Sequence, residues 1–382
     1  MVAFGRVLRP LWFFDSTLTF LNHGAYGATP KPIVAAQNVW REELEGQPVQ
    51  FMDDTLGPAL RRVEARLSKH VGAIADHLVL ACNVSEAMTA VARSTKLLPG
   101  DEVLITDQAH SGVCTLFSYL CLQAGASLRK IRLPFPLNSE NEILDAVGPY
   151  LNEKVRLAVF EHVSSRQSVV FPIQKLVNMC HQACIPVLVD GAHAPGMLDL
   201  DVSGIDADWY VGSCHKWLLA PKGSAFLVVK PDKQDEARPA VISTTFNQGF
   251  RNRFSWTGTR DPSAWLSISD ALDIWTQLGP EEGRYYMRSL ANWAGDQLVA
   301  DLKTERGVPS ELTGAMVSVR LEVKESVRMK GASALRGWLL EKANIEVPIV
   351  AIGDSLWVRI STHVYNDEAD ITLLSKALKE LR

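Results

Sequence analysis

The chain has 382 residues, 47% of them apolar, 21% charged and 8% aromatic, with a formal net charge of −4 at pH 7. This composition excludes a collagen-like, coiled-coil or disordered chain. The slightly acidic balance gives no electrostatic reason to expect nucleic acid or an anionic membrane surface as a partner. No apolar run approaches the ~18–20 residues of a membrane span. The opening stretch, MVAFGRVLRPLWFF, has a short apolar patch and no small-residue cleavage site, so it reads as a mature N-terminal segment rather than a signal peptide. Six cysteines (Cys82, Cys114, Cys121, Cys180, Cys184 and Cys214) make a poor disulfide framework, so a reduced, cytoplasmic setting is expected. Cys180 and Cys184 flank His181 one helical turn apart. No second ligand pair accompanies them, so they read as a helix face and no metal is expected.

From Val71 to about Val229, short apolar runs alternate with amphipathic stretches. The strands are expected at Leu78–Cys82, Glu102–Asp107, Leu128–Leu133, Arg156–Val163, Pro186–Asp190, Ala207–Val211 and Ala225–Val229. Helices are expected over Ser85–Leu97, Ser111–Ala124, Glu140–Leu151 and Ile173–Ala183. Continuous apolar strands separated by helices predict an α/β fold with a mostly parallel sheet covered on both faces. Pro231–Arg238 reads as a connection and 239–262 as loop. A helical pattern then runs from Pro262 to Leu302, interrupted at Gly279-Pro280. Strands at Ala315–Val323, Ile345–Val350 and Leu356–Ser361, with helices at Ala332–Ala343 and Asp367–Leu381, complete a smaller α+β module.

Three segments carry chemistry. Val187-Leu188-Val189-Asp190-Gly191-Ala192-His193 ends a buried strand in a carboxylate, where open α/β sheets bind ligands. Asp190 there either caps a turn or meets a cationic partner such as a protonated pyridine nitrogen. Gly212-Ser213-Cys214-His215-Lys216-Trp217 places a lysine among apolar residues, where its pKa falls and it can act as a nucleophile toward a carbonyl. Ser213 and His215 beside it can donate to a phosphate. Cys82-Asn83-Val84-Ser85-Glu86 leads a strand into a helix, either as an ordinary N-cap or as a phosphate cradle of free N–H groups. Together these segments offer what pyridoxal phosphate needs: a cradle for its phosphate, an acid for its ring nitrogen and a lysine for its aldehyde.

These same stretches resemble the class V branch of the fold-type I pyridoxal-phosphate enzymes, and within it the isopenicillin N epimerases. The resemblance rests on Val187 to Gly196, Asp199-Leu200-Asp201 and Gly212 to Pro221. Leu21-Asn22-His23-Gly24-Ala25-Tyr26-Gly27, Glu161 to Ser165 and Gly258-Thr259-Arg260-Asp261 extend it over nearly the whole chain. It implies a fold-type I transferase with residues 21–255 as the large cofactor-binding domain. Residues 256–382 would form the long connecting helix and small domain, and residues 1–20 a segment packed on that small domain.

The resemblance also implies roles. Lys216 would form the Schiff base and move protons at the substrate α-carbon, and Asp190 would pair with the pyridine nitrogen. Ala192 and His110 would bracket the ring. His193 stands where related cysteine desulfurases carry a glutamine at the ring hydroxyl. Val84, Ser85, Ser213 and His215 would hold the phosphate, with Ser164 a further cofactor contact. Gly258 and Thr259 would reach the phosphate of a neighbouring subunit in a homodimer. Arg359 falls at the substrate-carboxylate arginine, a role suited to its bidentate fork, or else is a strand-edge charge. Asn22, His23, Tyr26 and Arg166 are the remaining candidates for substrate contact, and loop 239–256 is a candidate pocket wall with Phe246 and Arg251. One departure is Ser164-Ser165-Arg166-Gln167-Ser168, where the desulfurases carry Asn-Asn-Glu-Thr-Gly. No cysteine follows Cys214, which argues against a persulfide-forming desulfurase. Epimerisation at an amino-acid α-carbon is the expected activity, with C–S β-elimination and transamination as alternatives. For epimerisation, His110 or Tyr26 is the candidate for the second acid–base group.

Overall fold

The computed structural model describes residues 3–381. A two-residue strand, β1 (Thr19–Phe20), precedes the seven strands of the main sheet. These are β2 (Leu78–Ala81), β3 (Glu102–Thr106), β4 (Ser127–Ile131), β5 (Val155–Glu161), β6 (Val187–Gly191), β7 (Trp209–Ser213) and β8 (Ala225–Val229). Their spatial order is β2-β8-β7-β6-β5-β3-β4, and β8 alone runs against the rest. Successive side chains of a strand face opposite sides. Val187 and Val189 of β6 accordingly enter one core with Phe160 and Tyr210, while Leu188 enters the other with Val159 and Val211. Burial on both faces is why the central strands read as apolar runs, whereas the edge strand β4 carries exposed Arg129 and Lys130.

Helices Val84–Ser94 and Ser111–Ala124 cover one face, and Leu56–His70 and Ile173–Gln182 contribute to the core on the other. The chain leaves β3 outward to β4 and returns to β5 on the other side of β3. That reversal opens a crevice at the carboxyl ends of the strands.

The smaller C-terminal unit is a three-stranded antiparallel sheet, β9 (Met316–Leu321), β11 (Ile349–Ile352) and β12 (Ser355–Ser361), with β12 central. Helices Pro280–Leu302, Gly331–Ala343 and Glu368–Lys379 pack against it around a separate apolar core. The N-terminal segment lies on this unit. Gly5 N–H donates to the Val364 carbonyl, Arg6 pairs with buried Asp370 at 2.7 Å, and β1 runs parallel to β10 (Ile345–Glu346).

Several elements differ from the sequence pattern. The expected strand Ile345–Val350 is two strands, because Pro348 has no N–H to give a ladder. The pattern from Pro262 to Leu302 is three helices, Ser263–Leu266, Ile268–Leu278 and Pro280–Leu302, the last break falling at Gly279 with φ +81°. Loop 239–262 contains a short helix, Phe250–Ser255, and the connection after Lys230 another, Pro231–Gln234. Residues 31–70, to which the pattern assigns no element, hold the helices Lys31–Gly46 and Leu56–His70. No helix among the described residues is long and apolar enough to cross a membrane.

Gly196 joins the end of β6 to the segment after β7. Its φ is +84°, and a Cβ there would overlap the Trp217 carbonyl and lie 2.8 Å from the Leu218 nitrogen. Gly196→Ala is expected to cost more than about 3 kcal/mol in urea unfolding, from the left-handed backbone plus overpacking. Gly57→Ala, in a helix with open space at its Cβ, is expected to stabilise by roughly 0.5–1 kcal/mol.

Candidate active site

The crevice holds a cavity of about 630 Å³. Glu161 and Asp190 enter it from the ends of β5 and β6, Ser213 from the end of β7, and His215 and Lys216 from just beyond. The start of helix Val84–Ser94 and His110, the N-cap of helix Ser111–Ala124, form the facing wall. Tyr26 lines it from the N-terminal element.

Asp190 is 6% exposed and lies opposite Glu161 in the β5–β6 register. One carboxylate oxygen accepts the Ala192 N–H at 3.0 Å. Burial raises its pKa, while that N–H and the charge of Lys216 pull it back down. The Lys216 amine lies 3.2 Å from His193 Nε2. Burial lowers the lysine to about 8; Asp190 opposes that shift and Arg359 adds to it. His193 is itself buried and held neutral, well below its ordinary pKa. Its Nδ1 accepts the Trp217 indole N–H at 3.3 Å, so the ring proton sits on Nε2. Nε2–H can therefore donate to the lysine nitrogen only when that nitrogen presents a lone pair. This contact favours the free amine, the nucleophilic form, in the same direction as the burial that lowers the lysine to about 8.

Asn83 and the residues expected to hold a phosphate, Val84, Ser85, Ser213 and His215, all line the cavity. Asn83 caps its helix by accepting the Glu86 N–H at 2.9 Å. The N–H groups of Val84 and Ser85 have no acceptor within the helix, and the helix dipole adds positive potential there. His215 Nδ1–H donates to the Ser224 carbonyl at 3.1 Å, which fixes the ring beside Ser213. His110 Nδ1 accepts the Gly112 N–H at 3.1 Å, leaving the proton on Nε2.

Arg359, on β12, is 7% exposed. It donates to Asn22 Oδ1 at 2.9 Å and to the Ser165 carbonyl, and its Nε is buried without a partner among the described residues. Burial lowers it to about 10, still fully cationic at neutral pH. Asn22 also donates to Glu346 at 2.7 Å. An orphaned guanidinium N–H of this kind suits an incoming carboxylate.

Not every residue singled out in the sequence reaches the cavity. His23 is fully buried behind Lys216, bonded to its carbonyl and to Tyr365, so it has no surface for a substrate. Ser164 Oγ is used by the Val169 N–H at 3.0 Å inside a turn; Ser165 lines the cavity in its place. Arg166 reaches the Ala351 carbonyl on β11. Gly258 and Thr259 sit outside this cavity, with Thr259 exposed. In loop 239–256, Arg251 pairs with Glu64 at 2.6 Å and Phe246 lies under Arg238 and Arg253.

Glu161 is the residue that sequence reasoning passed over. It accepts the Thr106 hydroxyl, 3.0 Å away, in a buried setting. Burial lifts its carboxyl to about 8, with Asp190 adding to the shift and Thr106 opposing it. Glu161 thus keeps its proton at neutral pH, which leaves the anionic form to Asp190. The available signal was a glutamate directly after the apolar run Leu157–Phe160.

Two measurements follow. With any cofactor removed, acetic anhydride labelling of Lys216, read by mass spectrometry, should rise with pH and level off above about 8. Asp190→Asn should move that break to lower pH, because Asp190 favours the ammonium form. Folded Glu161 holds its proton to about 8, against an ordinary value of 4.5, so its contribution to stability is lost as pH rises across that window. Glu161→Gln should flatten the pH dependence of the thermal midpoint between those values and raise the midpoint at the upper end.

The sequence profile of the class V aminotransferases matches residues 20–374. The isopenicillin N epimerase of Amycolatopsis lactamdurans is 33% identical, over 96% of this chain and 96% of that protein. That of Streptomyces clavuligerus is 32% identical, over 99% and 97%. A probable chloroplastic L-cysteine desulfhydrase of Arabidopsis thaliana is 31% identical, over 96% and 83%. Among solved structures, a cystine C–S lyase in complex with cysteine persulfide superposes with a TM-score of 0.82 at 20% identity, covering 96% of this chain and 98% of that one. The apo cysteine desulfurase of Thermococcus onnurineus NA1 superposes with a TM-score of 0.83 at 18% identity, covering 100% and 98%. These two show the shared fold. With the lysine, the aspartate and the helix N-terminus gathered in one crevice, the chain belongs to the class V aminotransferase family of fold-type I enzymes, whose cofactor is pyridoxal 5'-phosphate.

Proposed function

We propose that the enzyme removes the α-proton of an amino acid held by its carboxylate and returns it with loss of stereochemistry, as an epimerase. The observation that carries this reading is the shared cavity. The Lys216 amine, lowered to about 8, meets two further proton-bearing groups there, the His110 imidazole and the Tyr26 phenol, each on a different element. The 33% identity to an isopenicillin N epimerase over nearly the full chain supports it.

The residues present fit the cofactor. Asp190 has a carboxylate oxygen with no hydrogen bond among the described residues, the helix at Val84 offers free N–H groups, and Arg359 Nε is orphaned. Pyridoxal phosphate, when bound, supplies an electron sink for the bonds at the substrate α-carbon. Asp190 holds the proton on the ring nitrogen. Val84, Ser85, Ser213 and His215 hold the phosphate, while Ala192 and His110 bracket the ring. Arg359 clamps the substrate carboxylate, which places the α-hydrogen within reach of Lys216. His110 or Tyr26 returns a proton. His193 Nε2–H would be the group to meet the cofactor's ring hydroxyl.

The site is completed in a homodimer, with Gly258 and Thr259 contacting the cofactor phosphate of the partner. The exposed position of Thr259, outside its own chain's cavity, supports this arrangement. The six free cysteines support a reducing, cytoplasmic setting.

The identity to a probable L-cysteine desulfhydrase favours a second reading, β-elimination at a C–S bond. A panel of L-amino acids and cysteine conjugates in deuterated water separates the two. α-Deuteration with loss of optical purity and no pyruvate is the expected result, and Lys216→Ala should slow the exchange by about 10²–10⁴-fold. Tyr26→Phe, if Tyr26 is the second acid, should keep the exchange and lose the racemisation. Pyruvate and ammonia released with a thiol or sulfide would make the enzyme a C–S lyase instead.

A further inference from the structure

The short helix His23–Tyr26 is wedged between the small unit and the backbone of Lys216. On one side, a Cβ at Gly24 would lie 2.7 Å from Met316 Sδ and 3.0 Å from Ser361 Oγ, on β9 and β12. On the other, a Cβ at Gly27 would overlap the His215 carbonyl and lie 2.9 Å from Lys216 Cα. At Gly27, where the neighbours are backbone atoms and φ is +68°, only glycine permits the approach, whereas at Gly24 the Met316 and Ser361 side chains would have to move aside for a Cβ.

Within this wedge His23 makes two hydrogen bonds. Its Nε2 is 3.0 Å from the Lys216 carbonyl oxygen and its Nδ1 is 2.7 Å from the Tyr365 hydroxyl. A carbonyl only accepts, so Nε2 carries the proton. A neutral ring has one N–H, so Nδ1 accepts and Tyr365 donates. Burial keeps the ring neutral, lowering it to about 3. Its face stacks on His363 at 4.0 Å between centroids, and Trp217 lies 5.2 Å away. Tyr365 stands four residues beyond the end of β12, the strand that carries Arg359.

We propose that His23 is a positioning residue for Lys216. The chain Tyr365 O–H to His23 to the Lys216 carbonyl fixes the lysine backbone relative to the strand that holds the substrate carboxylate. His193 orients the amine at one end of the side chain, and His23 anchors the peptide at the other. His23 is therefore assigned no contact with substrate or cofactor. The assignment rests on Lys216 being the residue that binds the cofactor covalently.

The test follows covalent attachment of pyridoxal phosphate to apoprotein by its visible band, together with the pH dependence of that band, for wild type, Lys216→Ala, His23→Ala, His23→Gln and Tyr365→Phe. Loss of one hydrogen bond that holds the peptide should slow attachment in His23→Ala about tenfold. It should also shift the pH midpoint of the band and lower kcat with KM nearly unchanged. His23→Gln, whose amide N–H can reach the same carbonyl, should recover most of the rate. Tyr365→Phe keeps the aromatic packing and should show the same shift in smaller measure, so it carries the test if His23→Ala fails to fold. Wild-type attachment rate and pH midpoint in both His23→Ala and Tyr365→Phe would overturn the proposal. So would equal loss in His23→Ala and His23→Gln tracking a lowered melting temperature, which would mark a purely structural role. Attachment surviving in Lys216→Ala would overturn the lysine assignment itself, and that outcome is distinct from the others.

Discussion

Lys216 and Asp190 share one cavity at the ends of adjacent strands, and burial works against the charge of each. It lowers the lysine to about 8 and raises the aspartate, while each opposes the other's shift. The surrounding groups resolve this tension in one direction. Glu161 retains a proton, so only one of the two carboxyls facing each other across β5 and β6 need be charged. His193, locked by the Trp217 indole, presents N–H to the amine and so favours its neutral form. An anionic Asp190 beside a lysine lowered to about 8, which yields its free amine far more readily than an ordinary lysine, suits a cationic ring nitrogen and an electrophilic carbonyl. The cavity is thus set, before any ligand enters, toward one cofactor's charge pattern.

That setting depends on the sheet. Parallel strands buried on both faces bring their carboxyl ends to one line, so residues far apart in the chain become neighbours. Glu161 and Asp190 are 29 positions apart in sequence yet paired in register. The segment after β7 brings Lys216 to the same line, and Gly196 holds the two segments in backbone contact. The small unit adds Arg359 from a different sheet altogether. Its cationic charge is tolerated in a buried position partly because Asn22 and the Ser165 carbonyl accept two of its five N–H groups, while the buried Nε–H has no partner among the described residues.

Much of this was legible in the sequence, for identifiable reasons. The central strands stood out because double-sided burial writes a nearly unbroken apolar run, as in β6 and β7, and these runs end at Asp190 and just before Lys216, where chemistry begins. The helix start at Val84 carries its own cap signal in Asn83. The less legible features depend on what lies across space. A glutamate at the end of β5 looks like any strand terminus until Asp190 and Thr106 are seen beside it. Ser164 and Ser165 are indistinguishable as letters, and only the turn closed by the Val169 N–H decides which of them faces the cavity. The helix Leu56–His70 was readable in principle, since Leu60, Val63 and Leu67 keep helical spacing. Its dense arginines, which find partners in Glu64 and Asp273, obscure that stripe.

His23 shows the same limit in its sharpest form. In sequence it neighbours Asn22 and Tyr26, which touch Arg359 and the cavity, so proximity alone invites a substrate role. In space the four-residue helix turns its first side chain inward, while Gly24 within it faces β9 and β12 and Gly27 at its end lets the backbone press against Lys216. Adjacent residues then do different work: Asn22 accepts a hydrogen bond from Arg359, and His23 donates one to the Lys216 carbonyl. Both bonds start from the same N-terminal element, so one short turn links Arg359 on β12 to the Lys216 peptide without the long path through the sheet.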